Sequence, residues 1–174
     1  MGNFRDKRTK KIAYLGLLIA LAFVLSYVEY LLPINIGIPG AKVGLPNIVI
    51  VVALYTIGSF DAILLSLIRV LLVGFTFGNM SMMLYSFAGA VLSFVSMVIA
   101  KRTNLFSITG VSVLGGVFHN IGQIMVAMLV LETKSLVYYL PFLIIVGLLS
   151  GILIGFISSV VAKRVSGFIR NSLT

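Results

Sequence analysis

Long apolar runs occupy most of this chain and decide what it can fold into. There are six of them, at residues 12–32, 44–58, 60–77, 80–100, 106–131 and 138–162. A helix needs about 20 mainly apolar residues to cross a bilayer, and runs of this length are rare in soluble domains. Only 10% of the residues are charged. We therefore predict an all-α integral membrane protein with six transmembrane helices.

The domain organisation follows from the same runs. We predict one membrane domain over residues 12–162, between basic tails at 1–11 and 163–174. The first run is long enough to span the bilayer, and no small-residue cleavage site follows it, so we expect a retained helix rather than a signal peptide. The boundary between the second and third runs is marked only by residues 58–61.

The net charge of +9 does not indicate a nucleic-acid partner, because the basic residues cluster beside the apolar runs. Five lie within residues 1–11, two follow the fourth run (Lys101 and Arg102), and three lie within 163–174. Only Lys42 and Lys134 fall on the other side of the predicted membrane. The positive-inside rule then predicts a multi-pass plasma-membrane protein with both termini cytoplasmic.

A polar, kinked segment at residues 38–47 separates the first two runs. Irregular backbone at membrane depth is tolerated only against protein or a water-filled cavity. Lys42 supplies a cation there, and a helix starting near Leu45 or Pro46 would aim its unpaired amides at an anion. Asn47 adds a donor and an acceptor one turn further in. The alternative is that Lys42 only reaches the interface and the Gly and Pro residues only turn the chain.

Arg69 lies near the middle of the third run. Ionisable residues inside membrane spans are functional hypotheses by default. Arg69 either forms a structural ion pair, with Glu29 or Asp61, or binds an anionic ligand through its planar set of donors.

The fifth run carries a second polar group, His119, Asn120 and Gln123. His119 and Gln123 are four residues apart and share a helix face, with small glycines beside them. This predicts either a polar ligand recess or a buried hydrogen-bonding histidine. Too few ligands cluster for a metal site. With one His and no Cys, we expect no cofactor.

Small residues recur every three or four positions in several runs, which lets helix backbones approach closely. In the first run these are Gly16 and Ala20, where docking of a partner is the alternative to intramolecular packing. The fourth and sixth runs carry longer stripes, formed by Ser86, Gly89, Ser93, Ser96 and Ala100 and by Gly147, Gly151, Gly155 and Ser159.

Catalytic motifs are missing from the sequence. No glycine-rich loop with Lys-Ser/Thr is present to hold nucleotide phosphates. The four acids are far apart in sequence, which excludes an aspartate-rich motif for magnesium-diphosphate chemistry: they are Asp6, Glu29, Asp61 and Glu132. We therefore expect a protein that is not an enzyme.

Four motifs together carry a family resemblance: residues 39–49 (PGAKVGLPNIV), 66–72 (SLIRVLL), 118–123 (FHNIGQ) and 138–141 (YYLP). Over about residues 11–163 the chain resembles the family called Gx transporter or heptaprenyl diphosphate synthase component I. Pro46 stands where a small residue such as Ala is expected.

This family in turn resembles the substrate-binding S components of energy-coupling factor (ECF) vitamin transporters. The resemblance implies an ECF S-component-like bundle with a lid-like outer loop at about residues 33–43. It also implies a separate transmembrane coupling subunit and ATPases, docking on a surface formed by Ala13, Gly16 and Ala20. The synthase name implies a part in isoprenoid or menaquinone supply.

The resulting expectation is a membrane-embedded binding subunit for uptake of a small anionic or polar-aromatic molecule, such as a vitamin, flavin or quinone precursor. Its ligand residues would be Lys42, Asn47, Arg69, His119, Asn120 and Gln123. One alternative is a non-catalytic accessory subunit of polyprenyl diphosphate or menaquinone synthesis, or of a quinone-linked electron-transfer assembly. Another is an independent proton-coupled carrier, with Glu29 or Asp61 as its proton site.

Overall fold

The chain folds as a bundle of helices in the computed structural model, which describes the backbone of residues 2–32 and 43–173 and the side chains of 8–32 and 43–167. No strand occurs in these ranges, so the prediction of an all-α protein is confirmed there. The helices are α1 (Gly2–Leu31), α2 (Asn47–Thr56), α3 (Ser59–Thr76), α4 (Met80–Thr103), α5 (Ile108–Val130) and α6 (Leu140–Leu173), with a 3₁₀ helix (Lys134–Tyr139) leading into α6.

Five of the helices are long and apolar enough to cross a membrane, namely all except α2. Their outward faces carry large apolar side chains, among them Phe75, Leu129 and Phe156, all exposed. A soluble protein rarely exposes apolar surface on this scale, whereas lipid covers it without penalty. The fold is therefore that of a multi-pass membrane protein.

The second apolar run, predicted as a sixth span, forms a helix that is shorter than the other five. It forms the 10-residue α2, about 15 Å long, which is half the thickness of a bilayer core. Residues 49–54 of α2 are all buried. Gly44 (φ 80°) and Gly58 (φ 119°) adopt backbone conformations that favour glycine and flank the helix on either side. A helix that is apolar all round belongs inside a bundle, and average hydropathy does not distinguish it from a span.

The carboxyl end of α2 is buried, and its carbonyl groups find partners there. The Lys101 ammonium donates to the Leu54 carbonyl at 2.6 Å and lies 4.8 Å from the centre of the Tyr55 ring. The Ala53 carbonyl accepts from the backbone N–H groups of Ile57 (2.9 Å) and Gly58 (3.2 Å). Helix ends leave carbonyl groups without intrahelical partners, so these contacts allow the end to be buried.

The small-residue stripes pack the long helices together. A Cβ atom on Gly116 would lie 2.5 Å from the Gly147 carbonyl oxygen, so α5 and α6 touch through their backbones. Gly151 and Gly155 continue this contact on α6, and Gly89 of α4 meets α5 in the same way. Intramolecular packing, one of the two alternatives for such stripes, is confirmed for these glycines.

Both ends of the described chain lie at one end of the bundle. Lys11 of α1 forms an ion pair with Asp61, at the start of α3, at 2.8 Å. The following helices alternate in direction: Gly74 of α3 meets Met83 of α4, Met97 of α4 meets Gly115, and Gly116 meets Gly147. The start of α1 and the last turns of α6 are therefore on the same side. We call this side the basic end, because Lys11, Lys101, Arg102, Lys163 and Arg164 lie there.

Candidate functional site

A cavity of about 60 Å³ lies between α1, α2, α3, α4 and α5. We call it the polar cavity, because its polar lining residues are Ser26, Glu29, Asn47, Arg69, Ser86, His119, Asn120 and Gln123. Five of the six predicted ligand residues therefore meet at one place, although they come from three helices. The sixth, Lys42, lies outside the described residues. So does the predicted lid at 33–43, except for Val43.

Close contact between α4 and α5 forms one wall of the polar cavity. A Cβ atom on Gly89 would lie 2.8 Å from the His119 carbonyl oxygen and 2.8 Å from Gln123 Cγ. A Cβ atom on Gly122 would lie 2.8 Å from the Ala88 carbonyl oxygen. Because both positions are glycine, the helices touch, and the His119 and Gln123 side chains border the cavity.

Arg69 of α3 is the charged donor of the polar cavity. Its Nε atom is buried and has no hydrogen-bond partner among the described residues. A guanidinium offers five N–H donors, and a buried donor without a partner costs about 1–3 kcal/mol. At its Nε atom, Arg69 therefore lacks a hydrogen-bond partner among the described residues.

Neither predicted ion pair of Arg69 forms a direct contact in the described part of the chain. Asp61 pairs with Lys11 instead, at 2.8 Å, because both lie at the basic end. Glu29 borders the same cavity and attracts Arg69 electrostatically. No nitrogen–oxygen contact within 4.0 Å joins these two described side chains.

Glu29 is a cavity residue that was predicted only as an ion-pair partner or proton site. Its carboxylate accepts the backbone N–H of Gly44, a residue at φ 80°. This hydrogen bond ties the end of α1 to the segment that leads into α2. An acid inside an apolar run was the sequence signal for its role.

The amino end of α2 differs from the predicted anion site. The backbone N–H groups of Asn47, Ile48 and Val49 donate to carbonyls three residues earlier, at 2.8, 3.1 and 3.1 Å. Pro46 has no N–H to offer. The expectation of unpaired helix amides is therefore wrong here, and Asn47 contributes to the cavity as a lining residue.

Asn120 has a structural contact in addition to its place in the cavity. Its side-chain nitrogen donates to the Leu143 carbonyl at 2.7 Å, and the bond is buried. This bond joins α5 to the start of α6, close to the contact between Gly116 and Gly147. Asn120 therefore holds the cavity wall in place.

An aromatic cluster closes the side of the polar cavity between α1 and the end of α3. The Phe77 ring lies 5.0 Å from Tyr30, 5.6 Å from Phe23 and 5.7 Å from Tyr27, centre to centre. Tyr30 and Phe77 line the cavity, together with the apolar side chains of Val70, Val73, Met82 and Met83. The cavity thus combines a charged, hydrogen-bonding part with an apolar and aromatic part, as binding sites for small molecules commonly do.

The residues predicted to dock a partner lie apart from the cavity. Ala13, Gly16 and Ala20 are exposed on α1. A Cβ atom on Gly16 would meet nothing within 4 Å. This face of α1 is therefore open to lipid or to another subunit.

The described cavity residues offer donors for an anionic group but no set of metal ligands. Within the described residues, no group of three His, Cys, Asp or Glu side chains comes together as a metal-ligand set. Arg69 supplies donors for carboxylate or phosphate oxygens, and the amide side chains of Asn47 and Gln123 supply both donors and acceptors.

Comparison with known proteins identifies one family. The model of the family described as heptaprenyl diphosphate synthase component I matches residues 18–161. This range contains every residue that lines the polar cavity. No curated protein and no solved structure matches the chain.

Proposed function

The chain belongs to the heptaprenyl diphosphate synthase component I family, and we propose that it is a membrane-embedded binding subunit for a small anionic or polar-aromatic molecule. The ligand would be a vitamin, flavin or quinone precursor taken up from the outer side. The chain itself would catalyse no reaction. A transmembrane coupling subunit and ATPases would supply the energy.

The observation that carries this proposal is the position of Arg69. Its guanidinium borders the polar cavity, and its buried Nε has no partner among the described residues. Ionisable groups inside membrane proteins are rare and mark ligand or ion pathways. An anionic group of the ligand would supply the partner that the guanidinium lacks.

The acids of the chain support a non-catalytic role. Among the described residues that line the cavity, Glu29 is the one acid. Asp61 forms an ion pair with Lys11 at the basic end. Magnesium-assisted diphosphate chemistry uses several oxygen ligands around the ion. Binding followed by a conformational change fits these residues better than catalysis.

The basic end and the open face of α1 support the orientation and the partners proposed here. By the positive-inside rule, the basic end would face the cytoplasm, and both termini would then be cytoplasmic. The exposed residues Ala13, Gly16 and Ala20 would then offer a surface for the coupling subunit.

Purification in mild detergent tests the proposal directly. Native mass spectrometry of the tagged full chain would reveal any bound small molecule and any copurifying subunit. We expect a bound compound in the wild type and its loss in Arg69→Gln. The matched control is Arg164→Gln, which removes an exposed arginine on α6. If no compound copurifies and no vitamin, flavin or quinone precursor raises the melting temperature, the proposal fails.

A second candidate is the accessory subunit of polyprenyl diphosphate or menaquinone synthesis, or of a quinone-linked electron-transfer assembly. The family description and the apolar wall formed by Val73, Phe77 and Met82 favour it. The Lys42→Gln variant separates the two candidates. Binding of an anion from the aqueous side should weaken, whereas binding of a quinone from the lipid side should not change.

A further inference from the structure

Two opposite charges border the polar cavity. Arg69 lies on α3 and Glu29 on α1, and with His119 neutral the remaining polar lining residues are uncharged. The charges of these described lining residues therefore cancel, but the cavity has a positive and a negative side. A ligand that carries only one charge would satisfy one side and leave the other without a partner.

The two charges do not form a direct ion pair. No nitrogen–oxygen contact within 4.0 Å joins Arg69 and Glu29, both of which are described. One carboxylate oxygen of Glu29 accepts the Gly44 N–H, which fixes the carboxylate beside the segment before α2. An ionised carboxylate has about four acceptor positions, of which the Gly44 N–H occupies one. Glu29 therefore retains capacity for a donor from a ligand.

The apolar wall limits where the charged groups of a ligand can lie. Tyr30, Phe77 and Met83 line the cavity on its apolar side. An aromatic or aliphatic part of a ligand would pack there, which orients its polar end towards Arg69 and Glu29.

We propose that the polar cavity recognises a dipolar ligand, in which a monoanionic group lies beside an ammonium or N–H donor, and that Glu29 is the specificity-determining residue for the donor. This inference rests on the proposed function, because it concerns what the same cavity binds. Arg69 holds the anionic group, and Glu29 accepts the hydrogen bond from the donor.

The expected selectivity for a dipolar ligand arises because Arg69 and Glu29 both lose water when the ligand binds. A buried charge or donor without a partner is strongly disfavoured. Sites built to hydrogen-bond a ligand group discriminate against analogues that lack the group, because the protein side is then left unpaired. We expect the dipolar ligand to bind on the order of tenfold tighter, or more, than either singly charged analogue.

Three probes that differ only in charged groups test the inference: phenylalanine, 3-phenylpropionate and phenethylamine. The first is dipolar, the second carries only the carboxylate, and the third carries only the ammonium. Apparent dissociation constants come from the dependence of melting temperature on probe concentration, with the full chain in nanodiscs. Phenylalanine should bind at least about tenfold tighter than the other two probes.

Glu29→Gln isolates the role of the carboxylate. The amide oxygen can still accept the Gly44 N–H, so the local fold is expected to remain. The preference for phenylalanine over 3-phenylpropionate should fall to less than about threefold. The matched control is Glu132→Gln, which removes an exposed acid after α5 and should leave the preference unchanged.

The binding measurements with these probes test the inference without testing the proposed function. Equal binding of phenylalanine and 3-phenylpropionate by the wild type would overturn the inference, and so would an undiminished preference in Glu29→Gln. The absence of Arg69-dependent binding for all three probes would also overturn it. The proposed function is tested independently, by the compound that copurifies with the wild type. The wild-type ranking remains informative even if Glu29→Gln does not fold.

Discussion

The short helix α2 and the polar cavity both place polar groups in the interior of the bundle, but they treat those groups differently. At the carboxyl end of α2, Lys101 and two backbone N–H groups satisfy the carbonyls of Leu54 and Ala53. In the polar cavity, the Nε atom of Arg69 has no hydrogen-bond partner among the described residues. Among the described residues, the first region satisfies these polar groups internally, whereas the second leaves the Nε atom of Arg69 without a partner.

We interpret this difference as one between residues that stabilise the fold and residues that would bind the proposed ligand. Inside a membrane, a polar group without a partner is unfavourable, so helix ends are normally satisfied. A site that leaves a charge incompletely satisfied gives up stability for function. We therefore expect substitutions at the carboxyl end of α2 to lower stability without changing binding. We expect substitution of Arg69 to weaken binding with little change in stability.

The largest effect is expected for Gly89→Ala, where the cavity wall itself depends on packing. The new Cβ atom would lie 2.8 Å from the His119 carbonyl oxygen, a backbone atom of α5. The two helices would have to separate, at a loss of about 3 kcal/mol in the free energy of unfolding. Unfolding by SDS in mixed micelles measures this change. Ligand binding should weaken as well, because His119 and Gln123 would shift.

Gly16→Ala provides the control for this substitution. A Cβ atom at Gly16 meets nothing within 4 Å, so the stability should stay within about 0.5 kcal/mol of the wild type. If Gly89→Ala were equally harmless, the close approach of α4 and α5 would not be required for the cavity.

The next effect concerns α2. Lys101→Met removes the donor to the Leu54 carbonyl and leaves that buried acceptor without its partner. We expect a loss of about 2 kcal/mol in the free energy of unfolding, measured in the same way, with unchanged ligand affinity. Arg102→Met changes an exposed neighbour and should have little effect. A loss of affinity in Lys101→Met would show that α2 and the cavity are coupled.

The spans could be predicted from sequence wherever an apolar run matches one helix. The third run (60–77) corresponds to α3, which begins and ends one residue earlier, and the fourth run starts at the same residue as α4. The second run forms the shorter, buried α2, and this difference was not predicted because hydropathy records how apolar a segment is and not whether lipid or protein surrounds it. The helical extensions of α1 and α6 into the basic tails were also missed, because the search followed apolar residues only.

The polar cavity was predictable through its ionisable and amide residues. Arg69, His119 and Gln123 were found because polar side chains are unusual inside apolar runs. The contribution of Gly89 to the cavity was not found, because it depends on contact between α4 and α5. The pairing of Asp61 with Lys11 was missed for a similar reason: both partners belong to helices whose relative position the sequence does not give.

A smaller effect is expected for Asn120→Ala, which tests how far the polar cavity itself depends on an internal hydrogen bond. The substitution removes the donor to the Leu143 carbonyl, a buried bond of 2.7 Å between α5 and α6. Interhelical hydrogen bonds in membrane proteins contribute about 0.6 kcal/mol on average, so we expect a loss of about 1 kcal/mol. Titration of the copurified ligand should show weaker binding, because Asn120 also lines the cavity. Unchanged affinity would limit Asn120 to its structural bond.

The smallest change in stability is expected for Arg69→Met, together with the greatest loss of binding. Removing the guanidinium relieves a buried donor without a partner but also ends its electrostatic attraction to Glu29. These effects oppose each other, so the free energy of unfolding should stay within about 1 kcal/mol of the wild type. The ligand should no longer copurify, as native mass spectrometry would show, whereas Arg164→Met should retain it. A large loss of stability in Arg69→Met would show that the arginine is a structural residue after all. It would also remove the distinction between the polar cavity and α2.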